Sequence, residues 1–109
     1  MIMQETRELI QKAVEIELQN ALEQTTFKDA HHAFAVLKEE AEEAFDNLTC
    51  VECDLNSFWR NIKQDDVERQ KQYLRRVRAK AQDVIYELAQ VVAVCEKAEM
   101  QVYKDAGAL

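Results

Sequence analysis

The chain has 109 residues, 48% of them apolar and 32% charged, an ordinary soluble balance with material for one domain, residues 1–109, around a single core. Its formal net charge of -7 disfavours a role built on clustered Lys and Arg against a phosphate backbone, so a nucleic-acid polymer is not an expected partner. The longest apolar run, Val91 to Cys95, falls far short of the roughly 20 residues a bilayer requires. The amino terminus, MIMQETRE, has no basic segment leading into an apolar one, so a soluble, cytoplasmic protein without a membrane partner is expected.

Proline is absent and glycine occurs once, so tight turns and hairpins lack their usual residues while Ala, Glu, Leu, Gln and Lys dominate. The fold class read from this is all-α. Apolar residues at three- and four-residue steps, among them Ile10, Val14, Leu18 and Leu22, predict a first helix from about Met3 to Gln24, interrupted by Thr25 and Thr26. Asp29 is a good N-cap for a second helix, whose stripe of Phe34, Leu37, Ala41, Ala44 and Leu48 carries it to about Leu48.

Between Thr49 and Asp66 the period weakens, and Asp54, Asn56, Ser57 and Asn61 offer caps and turns. A connection containing one short helix is expected there, with Trp59 as a core plug beneath it or, alternatively, a platform for a base. From Asp66 the period returns in Leu74, Val77, Ala81, Val84, Leu88, Val91 and Cys95, a long helix running toward Gly107 as its stop. Around Ile85 to Val94 apolar residues occupy more than one face, as Ile85, Ala89, Val92 and Ala93 join the stripe. Burial in a bundle centre or contact with a second subunit would account for this. The expected architecture is a bundle of three main helices plus a short connecting helix, completed by self-association as a dimer or tetramer.

Three cysteines without a secretion signal make a disulfide framework improbable, and the CxxC of Cys50 and Cys53 has no second pair to complete a zinc site. His31 and His32 lack a partner at metal spacing and fit capping or surface roles. The basic stretch LRRVRAK, Leu74 to Lys80, is flanked by acids and reads as salt-bridged surface.

The stretch LKEEAEEAFD, Leu37 to Asp46, concentrates glutamates beside the second helix's apolar stripe. At about 100° per residue Glu40 falls about 70° from the core direction, on a flank shared with Glu39 and Glu43, while Glu42 points to the opposite side. On the long helix Glu87 lies about 60° from the core direction, near Asp83 and Gln90. Packing through the two stripes can bring these flanks together. Carboxylates at such a seam repel one another and lose hydration, a cost that a divalent cation cancels, and hard oxygen ligands suit magnesium or manganese. Taken alone, the acidic run also fits a solvated helix face.

Glu39-Glu40-Ala41-Glu42-Glu43 fits the pattern EExxE, and Glu87-Leu88-Ala89-Gln90 sits where an ExxD would follow on a later helix. Together with Phe27 to Leu48, Ala81 to Ala98 and the tryptophan-containing FWRNIKQDD, these motifs resemble the MazG-like nucleotide pyrophosphohydrolases over most of the chain. The resemblance implies an all-α, self-associating enzyme that uses Mg2+ to hydrolyse nucleoside triphosphates to monophosphate and pyrophosphate. It implies Glu40, Glu43 and Glu87 as metal ligands, with Asp83 or Gln90 contributing, and Glu39 as base or as a partner that supports the ligands. Lys97 is the first candidate for the leaving pyrophosphate, with Arg60 and Lys63 behind it. Gln90 departs from the pattern, because an amide oxygen brings no charge, and His32 stands where compact members tend to have glutamate. The rival expectation is a non-catalytic helical interaction protein that keeps the fold; a plain coiled-coil adaptor is disfavoured by the broken period at Thr49 to Asp66.

Overall fold

The computed structural model describes residues 1–103, which form an all-α helical bundle of α1 (Gln4–Leu22), α2 (Ala30–Lys63) and α3 (Val67–Gln101). Gly107, the expected stop, lies outside the described residues. Each helix begins and ends for a local reason. α1 follows an extended Met3 and closes where the Glu23 N–H donates to the carbonyls of Gln19 and Asn20. Asp29 caps α2 as its sequence predicts, its Oδ1 accepting the His32 N–H at 2.9 Å. Asp66 does the same for α3, accepting the Arg69 N–H at 3.1 Å.

The expected connection after Leu48 is corrected: residues 49–63 continue α2 without a break, and no separate short helix exists among the described residues. Several polar side chains of this stretch are bonded within the helix or to α3. Thr49 Oγ1 donates to the Phe45 carbonyl at 3.1 Å and Asn61 Nδ2 to the Ser57 carbonyl at 2.7 Å. Asp54, only 5% exposed, meets Arg76 Nε at 3.3 Å. The reversal comes later. Asp65 adopts φ 57, its N–H donates to the Ile62 carbonyl, and the Asp66 N–H donates to that of Asn61. This is a Schellman termination, with aspartate at the left-handed position that glycine usually fills.

The chain divides into two compact units, Met1–Ala41 with Leu88–Leu109, and Glu42–Glu87. In the first, Phe27, Ala33 and Val94 form a buried cluster with Val36, Leu37, Ala98 and Val102 packed against it. The segment following α1 is fastened to α3 from two points. The Phe27 N–H donates to Gln101 Oε1 at 2.9 Å, and Lys97, 3% exposed, donates from Nζ to the carbonyls of Ala21 at 2.8 Å and Thr25 at 2.9 Å. Its ammonium also lies 4.3 Å from the centre of the Phe27 ring.

The second unit is a helical hairpin closed by the Asp65 turn. It buries Ala44, Asp54 and Asn61, and Gln70 Nε2 reaches the Asn61 carbonyl at 3.2 Å. Among the described residues no large side chain is fully buried, while Phe45, Leu48, Leu55, Leu74 and Ile85 are exposed. Trp59 is corrected from a core plug to a surface residue, 57% exposed with Lys63 Nζ 5.5 Å from its ring centre, because α2 continues straight past it and leaves no connection to cover.

Candidate functional site

Helical register carries Glu40 and Glu43 onto successive turns of one face of α2, three residues apart, where their ligand oxygens lie within 4.8 Å of each other. Within the second unit Glu43 also has a Glu87 carboxylate oxygen within 4.8 Å, supplied by α3. Glu43 therefore has a carboxylate neighbour along its own helix and another across the hairpin. Asn47, the next turn of α2, donates from Nδ2 to Glu87 Oε1 at 3.1 Å and fixes how that carboxylate is presented. Glu40 and Glu87 are half-buried and Glu43 is exposed, so the group sits at the edge of water.

The remaining residues singled out in the sequence separate into three sets. Glu39 is exposed, Asp83 is half-buried, and neither joins the carboxylate group. Gln90 lines a cavity of about 470 Å³ in the first unit, together with Glu40 and Lys97. Arg60 and Lys63 are at the far end of α2, where Arg60 Nη2 donates to Ser57 Oγ at 2.8 Å and Lys63 rests over Trp59. Burial pushes the Lys97 ammonium below its ordinary 10.5, and the two carbonyls and the ring face are what hold its charge in place. The structure thus gives Lys97 the work of tying down the end of α1, at the wall of the same cavity.

His32 has the capping role read for it. Its Nδ1 accepts the Lys28 N–H at 3.2 Å, and its ring meets Phe27 edge-on at 5.2 Å. Cys50 and Cys53 are exposed free thiols one turn apart, and burial raises the thiol of Cys95 above its ordinary value. Sequence reasoning missed Asn47 as a partner of Glu87, and it missed the contribution to the cavity from Glu17 and Asn20 on α1 and from Gln24 just past its end. Their spacing of three and four residues was the available signal.

Glu43 and Glu87, with oxygens within 4.8 Å of each other in the second unit, are hard donors of the kind a divalent cation accepts, and Mg2+ commonly keeps water and substrate oxygens on its remaining positions. The same set would serve a softer metal poorly, since neither histidine nor cysteine belongs to it. No protein-family model, curated protein or solved structure matches the chain.

Proposed function

We propose that this protein is a MazG-like, magnesium-dependent nucleoside triphosphate pyrophosphohydrolase, converting a nucleoside triphosphate and water to the monophosphate and pyrophosphate, with manganese as an alternative ion. The observation that carries the reading is Glu43, flanked by Glu40 on its own helix and by Glu87 from α3. Glu40, Glu43 and Glu87 would hold the cation, which when bound supplies charge neutralisation for the polyphosphate and an acidified water. Asn47 keeps Glu87 turned toward Glu43 by its 3.1 Å hydrogen bond. Glu39, exposed and next to Glu40 in sequence, is the carboxylate we assign to taking up a proton. Gln90, in place of an aspartate, contributes an amide oxygen at the cavity wall without adding charge.

The reading includes assembly of the chain as a dimer or tetramer in the cytoplasm. Exposed Phe45, Leu48, Leu55, Leu74 and Ile85, with no large side chain fully buried among the described residues, support a covered face. The same exposed residues favour the second reading, a non-catalytic oligomerisation module that keeps the fold.

Incubating the protein with each common nucleoside triphosphate and Mg2+, and assaying pyrophosphate, separates the two. The enzyme yields pyrophosphate from at least one, and Glu43→Gln abolishes it with helicity retained. Absence of product across the panel, together with no Mg2+-induced rise in melting temperature, would establish the module instead.

A further inference from the structure

We infer that the cavity in the first unit reads the base of that nucleotide, and that it selects bases with an exocyclic amino group (adenine, cytosine or guanine) over uracil and thymine. The inference rests on the nucleotide reading above. The cavity's volume, about 470 Å³, lies within the range of small-molecule sites.

Its lining is set by what it can accept and donate. Glu17 and Asn20 come from one face of α1, three residues apart, Gln24 comes from the segment just past its end, and Gln90 comes from α3. Lys97 is the sole Lys or Arg among the lining residues, and two of its N–H groups are taken by the carbonyls of Ala21 and Thr25. His32 has its Nδ1 engaged by Lys28. With its cation committed to the backbone and the carboxylates of Glu17 and Glu40 on its wall, the cavity is a poor place for a phosphate and a better one for a neutral ring. Glu40 lies on this wall, and Glu43 follows it one turn along α2.

Glu17 then decides among bases. An ionised carboxylate only accepts hydrogen bonds, so it is satisfied by the amino group of adenine or cytosine, or by the N1–H and amino group of guanine. Uracil and thymine offer one N–H between two carbonyl oxygens, and those oxygens face Glu17 with like partial charge. Asn20, Gln24 and Gln90 can each donate and accept, and do not oppose any base.

The test measures equilibrium binding of AMP, CMP, GMP, UMP and TMP by titration calorimetry in the presence of Mg2+, alongside turnover of the five triphosphates. The three amino-bearing nucleotides are expected to bind about tenfold more tightly than UMP and TMP. Glu17→Leu, a good helix former at a half-buried position, should reduce that preference to about threefold or less, while the Mg2+-induced thermal shift is unchanged. Turnover with equal affinity for all five, or a preference untouched by Glu17→Leu, overturns the base assignment and leaves the enzyme reading standing. No binding of any monophosphate and no turnover of any triphosphate overturns both.

Discussion

The side-chain amide of Asn47 donates to a carboxylate oxygen of Glu87 at 3.1 Å, joining α2 to α3 one turn beyond Glu43. A hydrogen bond of this kind selects one orientation of Glu87 from the several its rotamers allow. Asn47→Leu removes the donor and keeps helix-forming character. Under the metal reading it should weaken Mn2+ or Mg2+ binding by about 10- to 100-fold, the usual cost of losing a group that orients a ligand. Calorimetric titration of the ion checks this, and an unchanged affinity would mean that Glu87 needs no support from Asn47.

Lys97→Met keeps an unbranched chain over Phe27 but withdraws both donors from the end of α1. Charged hydrogen bonds and a close ring contact together make a loss of about 2–4 kcal/mol in unfolding free energy the expected result. Urea denaturation measures it. If Lys97 instead served mainly to bind pyrophosphate, the substitution would impair turnover while the urea midpoint stayed put.

Arg76 is more than half exposed, yet its partner Asp54 is buried and has Oδ2 without a hydrogen-bond partner. Arg76→Met leaves that carboxylate with no counter-charge and should destabilise the protein by about 1–3 kcal/mol. Adding Asp54→Asn to Arg76→Met should recover most of the loss, since the neutral amide costs less to bury. A double-mutant cycle on chemical denaturation reads the coupling directly.

Acid should act on the start of α2. The backbone N–H of His32 holds the Asp29 carboxyl below its ordinary 3.8. A depressed carboxyl adds stability that is fully present above the unfolded value and is lost as pH falls through the lower, folded one. Stability should therefore decline below about pH 4 partly through Asp29. Asp29→Asn, which caps without titrating, should flatten that part of the acid limb in thermal melts recorded from neutral pH downward.

Much of this architecture could be read from spacing. The start of α2 at Asp29 followed from a cap residue ahead of a periodic apolar stripe and that of α3 near Asp66 from the return of the period, and α1 differs from its expected bounds by only one or two residues at each end. That Glu43 and Glu87 approach each other within the hairpin needed nothing beyond 3.6 residues per turn and two packed stripes. What failed was local reasoning about Asp54, Ser57 and Asn61. Their polar groups look like helix breakers until Arg76, 22 residues beyond Asp54, and the preceding turn of α2 are in place to receive them. Lys97 misled for a related reason: its acceptors, Ala21 and Thr25, are 76 and 72 residues away, and no short-range pattern announces them.

The three-residue reversal at Gln64–Asp66 also bears on how the chain reaches this state. Once the Asp65 turn forms, facing positions of the second unit meet in order outward from it, each contact enclosing little more chain than the last, so the entropic penalty of closure is met early and at short range. The first unit must instead gather Met1–Ala41 and the segment from Leu88 onward across 46 intervening residues, Glu42 to Glu87. Amide-exchange protection after dilution from denaturant should accordingly appear around Asn61 and Gln70 before it appears at Phe27, whose N–H waits for Gln101 to arrive.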